Sequence, residues 1–403
     1  MNRSRFPAVV DADQHGRVLA DNAAGAQLPD VALDRMRNFQ AYENAPKGGI
    51  FERAQATTDL VAAAKAAFAA LIDQPVERVG IAPNATTGAL AFSRLLASAV
   101  RPGDRIVVTD ADHSANVEPW VWLERFGATI ERIGVDQAGG LDEAALFAAF
   151  ERAPFLVALP FCSNATGRRF DVARYARAAK AAGALVTVDG VQALPHIVID
   201  VDPAIDFMTF SAYKVYAPHI GFWAMSGAAH DRFVAVDDAT VAGGIARVWT
   251  METGTQNHAA LAGWLGTIDY LGELAPTPRK AIGVLHDAEG RITRHALAAF
   301  AGRAERGVRL YGEGPEAERL PLFAFNVDGV AGETVARRLA AARIDARLGD
   351  FYCQRLMRTI AADAGGRAIR LSFAHYSTEA DVGRCFEVVD AVLDERAAPA
   401  AAR

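Results

Sequence analysis

The chain has 403 residues, 51% of them hydrophobic and 22% charged, which is the balance of a soluble globular protein with room for two domains around a large core. A net charge of −6 excludes the basic footprint of a nucleic-acid binder. No apolar run reaches the ~18 residues of a membrane span. The opening "MNRSRFPAVVDADQHG" lacks the apolar stretch of a secretory leader, so a cytoplasmic protein is expected. Three cysteines, Cys162, Cys353 and Cys385, are too few and too scattered for a disulfide framework or a zinc site.

In chain order, "DLVAAAKAAFAALI" and "ALAFSRLLASAV" have the spacing of amphipathic helices. The short apolar runs "RIVVTD", "PFLVALP", "ALVTVDG" and "DFMTFS" read as buried strands, with "DVARYARAAKAAG" a helix between two of them that stops at glycine. This alternation predicts an α/β fold with a mostly parallel sheet covered by helices on both faces. The region "GTQNHAALAGWLGTIDYLGEL" predicts a long helix leading into a smaller α+β domain. That domain is made of short antiparallel segments over 308–327, a helix "GETVARRLAAARI" and the alternating strand "RAIRLSFAHY". No internal repeat is present, and the tail "ERAAPAAAR" is expected to fray.

Ligands of open α/β sheets sit at the carboxyl ends of strands, so chemistry is sought just past the apolar runs. "APNATTGAL" enters a helix through small and hydroxyl residues; it reads either as a cap by Asn84 or Thr86, or as a phosphate cradle of free backbone N–H groups. In "LVTVDGVQA", Asp189 ends an apolar strand, either as a turn residue or as a carboxylate for a ring nitrogen, with Gln192 three residues on. Asn164 in "LPFCSNATG" is either a turn asparagine or a donor to a phenolate oxygen. Lys214, in the aromatic stretch "FSAYKVYAPHIGFW", either snorkels to water or is a desolvated amine nucleophile. A strand-end aspartate followed one β-unit later by such a lysine suits pyridoxal phosphate: the lysine forms a Schiff base, and the aspartate keeps the ring nitrogen protonated.

With these residues in hand, the sequence resembles the class V aminotransferases of fold type I, in their cysteine desulfurase and selenocysteine lyase branch. The resemblance runs from "LADNAAGAQLP" through "AYENAPKGGIFERAQAT" to "RLSFAHYSTEADV". It implies a large domain with a mostly parallel seven-stranded sheet and a smaller C-terminal α+β domain. The expected boundaries are 1–20 for an N-terminal segment against the small domain, 21–275 for the large domain, 276–395 for the small domain and 396–403 for a flexible tail. The resemblance also implies pyridoxal 5'-phosphate, with Ala85, Thr86 and Ser211 at its phosphate. Asn164 and Gln192 fall at the 3-oxygen, Asp189 at the ring nitrogen and Lys214 at the Schiff base, where it also serves as general base. Tyr213 replaces the family's usual histidine before the lysine. "METGTQN" implies a homodimer in which Thr255 touches the phosphate of the other subunit's cofactor, and Arg370 in "AIRLSFAHY" implies a grip on the α-carboxylate of a small amino acid.

Two departures bear on the reaction. In "DHSANVEPW", His113 is followed by Ser114 at the position where the ring-stacking histidine is expected, leaving open whether His113 covers the ring. In "ARLGDFYCQRLM", Cys353 stands one position later than the branch's sulfur-accepting cysteine, beside Asp350, whose charge opposes thiolate formation. Cys353 is therefore either the nucleophile or a small hydrophobe at a helix start, while Cys162 and Cys385 read as core residues. The expected activity is cleavage of a carbon–sulfur or related Cβ–heteroatom bond, as a desulfurase or a β-eliminating lyase. An epimerase or aminotransferase needing no cysteine is the alternative, and any sulfur-accepting partner is left open.

Overall fold

The computed structural model describes residues 2–233, 251–312, 314 and 319–397. Seven strands form the main sheet: β2 (Val79–Ala82), β3 (Arg105–Thr109), β4 (Thr129–Ile133), β5 (Leu156–Pro160), β6 (Leu185–Asp189), β7 (Phe207–Ser211) and β8 (Gly221–Met225). β1 (Val18–Leu19) lies outside it. The order is β2-β8-β7-β6-β5-β3-β4, and only β8 runs against its neighbours. Helices cover both faces, which explains the unbroken apolar runs. On β3, Val107 enters the core on one face while Ile106 and Val108 enter that on the other.

A second sheet, β12-β13-β10-β9, is antiparallel throughout: β9 (Val308–Leu310), β10 (Leu322–Val327), β12 (Arg347–Gly349) and β13 (Ala368–Ser372). β11 (Ile344–Asp345) pairs in parallel with β1, so Val18 and Ala20 join the apolar cluster of this second body, whereas Phe6 and Val9 belong to the core of the first. The helix Pro278–Ala301 buries Ala281, Ile282 and Leu285 in the first core and Ile292, Ala296 and Phe300 in the second. One continuous helix thus carries the chain between the two bodies. Where a frayed tail is expected from 396, the helix Glu379–Ala397 still includes Arg396 and Ala397; residues 398–403 lie outside the described residues. No helix among the described residues is long and apolar enough to cross a membrane.

Candidate active site

Ala85, Thr86, His113, Asn164, Asp189, Gln192, Ser211, Tyr213 and Lys214, far apart in sequence, line one cavity at the carboxyl ends of β3, β5, β6 and β7. One end of it is built by the helix Ala85–Leu96. Asn84 caps that helix by accepting from Thr87 N at 2.9 Å, and Ser211 at the tip of β7 accepts from Ala85 N at 3.0 Å. The helix opens four residues before the expected "ALAFSRLLASAV", where the Asn84 side chain satisfies a free N–H of its first turn. Gly221 opposite has no room for a side chain: a Cβ there would lie 2.5 Å from the carbonyl carbon of Asn84.

Asp189 ends β6 and accepts from Val191 N at 2.8 Å. Burial raises its carboxyl above the usual range, with Lys214 pulling the other way. Lys214 closes a short 3₁₀ turn after β7 and donates Nζ to Ala23 O at 2.7 Å. Burial, and then the nearby Arg370 cation, push its amine down to about 7. Gln192 donates Nε2 to the same Ala23 carbonyl at 3.0 Å and leaves its Oε1 buried without a partner.

His113, not Ser114, supplies the imidazole of this cavity. Its Nδ1 accepts from Ala115 N at 3.0 Å, which turns the ring inward, and burial followed by the charges of Lys214 and Arg370 pushes it down to about 4. Ser114 instead faces a neighbouring cleft with Tyr352, accepting no place over the Lys214 pocket; its backbone N donates to Tyr352 O at 2.9 Å. His113 thus lines the cavity and Ser114 does not. The cap at Ser114–Asn116 decides which side chain points in.

Arg370 is 2% exposed, so the solvated strand face that alternation alone allows is not what forms. It donates to Asn164 O at 2.7 Å and to Asp21 Oδ1 at 3.2 Å, lies over the Phe351 ring at 4.6 Å, and keeps Nε buried without a partner. Cys353 starts the helix Gln354–Ile360 as a buried residue and donates Sγ–H to Asn164 Oδ1 at 2.7 Å. Burial, then the charge of Asp112, raises its thiol well above the ordinary value. The Asn164 amide is engaged on both sides, since Nδ2 donates to Phe351 O at 2.8 Å. Phe351 and Tyr352 both sit at positive φ, 56° and 60°, an uncommon backbone for residues with side chains.

Thr255 lies outside this cavity, exposed in the turn before the helix His258–Leu274. Cys385 is a core residue of the second body, while Cys162 both packs in the first core and lines the cavity. Sequence reasoning missed Asp112. It is buried in the same cavity, holds Asn116 Nδ2 at 2.7 Å and the His113 amide at 3.0 Å, and is raised by burial and by Asp189. Its signal was available: like Asp189, it follows a strand end, in "VVTDADH".

The donor set fits pyridoxal phosphate: a helix N-terminus and hydroxyls at one end, a carboxylate in the floor, an imidazole beside it, an unpartnered Gln192 oxygen and a low-pKa amine. Fold and cavity together define a pyridoxal-phosphate enzyme of fold type I. The description "Aminotransferase class-V" matches residues 18–385, and the chain belongs to that family. It is 30% identical to a cysteine desulfurase of Dickeya dadantii, with 95% of this chain and 93% of the relative covered. It is 27% identical to the aminotransferase-like protein FGM3 of Gibberella zeae, with 97% of each covered. The crystal structure of the Escherichia coli cysteine desulfurase CsdA (S-sulfonic acid) superposes with a TM-score of 0.82 at 27% identity, covering 98% of both chains.

Proposed function

We propose that the protein cleaves the Cβ–S bond of a small amino acid, with Lys214 as attachment point and base, Asp189 at the ring nitrogen, Arg370 at the substrate carboxylate, and Ala85, Thr86 and Ser211 at the phosphate. The carrying observation is that Lys214 and Asp189 share one cavity and that Lys214's amine is pushed down to about 7. When bound, pyridoxal phosphate supplies a carbonyl that condenses with amines and a ring that takes up the electron pair released at Cα. Near neutral pH a large share of Lys214 is unprotonated, so it serves both as nucleophile and as the base that removes the Cα proton. Asp189 holds a proton at the ring nitrogen. Arg370 orients the carboxylate, and His113 and Tyr213 wall the cavity against water.

Likeness to cysteine desulfurases supports sulfur chemistry, and Cys353 decides its form. Its thiol is buried, raised and bonded to Asn164, which favours elimination or another outcome that needs no cysteine nucleophile over transfer of sulfur to Cys353. Reprotonation of Cα, an epimerisation, is the second reading that the same thiol geometry supports. The proposal extends to a cytoplasmic homodimer. Thr255 is exposed, and Ile50 is 99% exposed beside exposed Phe51, a face that a second copy would cover. The test is product identity from L-cysteine with and without a thiol reductant: sulfide with pyruvate and ammonia in either case supports elimination, alanine with sulfide that appears only when the reductant releases it supports desulfuration, and no turnover with cysteine removes it as substrate.

A further inference from the structure

A buried polar group outside the cavity joins the two chain segments that carry its chemistry. Glu289, on the helix Pro278–Ala301, is 2% exposed, and a carboxylate so placed is costly unless it is held on both oxygens. Oε2 lies 2.7 Å from His196 Nδ1, and Oε1 accepts from the Tyr216 hydroxyl at 3.3 Å. His196 is itself buried, and its carbonyl is bonded to His286 Nδ1 at 2.9 Å on the same helix as Glu289.

The two partners are not arbitrary. From Asp189, compact turns lead to His196: Ala193 and Leu194 both donate to Gly190 O, and His196 donates to Ala193 O. These turns tie His196 to the strand end that carries Asp189. Tyr216 follows Lys214 by two residues, after the turn that Val215 N closes on Ala212 O. It sits at φ 60°, which a bulky residue adopts only where its surroundings over-determine it. Thr267 supports it by donating to its carbonyl at 2.8 Å, and His375 packs edge-on against its ring at 4.4 Å. Glu289 makes the bond at the far tip of that ring.

We propose that Glu289 is a positioning residue that fixes Lys214 relative to Asp189, by holding Tyr216 on one oxygen and His196 on the other. This rests on Lys214 being the cofactor's attachment point. A tyrosine released from Glu289 lets the Lys214 turn loosen and gives water more access to a nitrogen that is now part-buried. The titratable and charged groups around that nitrogen, Asp189, Arg370, Cys353, Asp21 and His113, are all retained in the variants, so the change reports position rather than one of these charges being lost.

The experiment uses purified holoenzyme and titrates the visible band of the bound cofactor with pH, for wild type, Glu289→Gln, Tyr216→Phe and Thr293→Val. Thr293→Val is the structural control, since it removes a buried hydroxyl bond to the Glu289 carbonyl on the same helix without touching Tyr216. The expected result is a midpoint raised by about half a pH unit or more in Tyr216→Phe and Glu289→Gln, with Thr293→Val lowering the melting temperature at an unchanged midpoint. Unchanged midpoints in both test variants, whatever their melting temperatures, overturn the proposal; should Glu289→Gln fail to fold, Tyr216→Phe decides alone. A wild type with no borohydride-reducible visible band removes Lys214 as the attachment point and the proposal with it, whereas a reducible band that does not titrate overturns the proposal alone; either failure is visible before any variant is compared.

Discussion

The thiol of Cys353 donates to Asn164 Oδ1 at 2.7 Å, and the same asparagine returns Nδ2 to the carbonyl of Phe351, two residues before the cysteine. The turn carrying the cysteine is thereby latched to the cavity wall, with its sulfur held as a hydrogen-bond donor. A nucleophilic role needs that latch broken and a raised thiol deprotonated. Cys353→Ala is accordingly expected to keep sulfide release from L-cysteine within about threefold of wild type, with pyruvate as co-product. Loss of sulfide together with an alanine co-product in the wild type would establish Cys353 as the sulfur acceptor instead.

Removing the amine removes the attachment. Lys214→Ala is expected to lose the visible band of the purified protein altogether and to leave nothing that borohydride can fix to the chain. A retained, reducible chromophore would sink the assignment.

The pH dependence of attachment follows from the same group. A neutral amine attacks a carbonyl and its ammonium does not, so the active form of Lys214 accumulates as pH rises through about 7, far below the range of an ordinary lysine. Adding pyridoxal phosphate to stripped protein should give an attachment rate that falls as pH drops through that value and is level by about pH 8.5. A rate still climbing steeply at pH 9–10, on the order of an ordinary lysine's titration, would show the amine to be solvated.

Arg370 keeps Nε without a partner in a buried site where its two terminal nitrogens are braced by Asn164 O and Asp21. Arg370→Lys keeps the charge but not the fork, and Arg370→Ala loses both. A buried charge-assisted contact of this kind contributes about 2–4 kcal/mol, so KM in the alanine variant should rise by a factor on the order of 30 to 900, with the lysine variant between. An unchanged KM would take Arg370 out of carboxylate binding.

Gly221 tests the phosphate end independently of the chemistry. A methyl there meets three backbone atoms of Asn84 within 2.9 Å, and backbone gives way far less readily than a side-chain tip. Gly221→Ala should weaken cofactor retention on dialysis by about tenfold or more and lower the melting temperature. Retention like wild type would mean that the helix start is not the phosphate seat.

By itself the sequence determined the parallel sheet, the strand ends where chemistry stands, and the pairing of Asp189 with Lys214. Each of these is a local pattern: apolar runs of strand length, a polar residue at their end, a lone cation among aromatics. What the tertiary structure alone decided is where side chains of ambiguous pattern face. Arg370 alternates like a surface residue, yet it is buried because the Phe351 turn and Asn164 close over β13. His113 and Ser114 are neighbours in sequence, and only the cap on Ala115 turns the first inward. Cys353 reads as nucleophile or packing residue, and only the fold sets its thiol as a hydrogen-bond donor to Asn164, 189 positions away. Glu289 looks like one more acid on a charged helix until His196 and Tyr216 are brought to its two oxygens. Local pattern fixes what an element is, but burial and hydrogen-bond partners come from segments distant along the chain, and those contacts set the protonation and reach on which the chemistry depends.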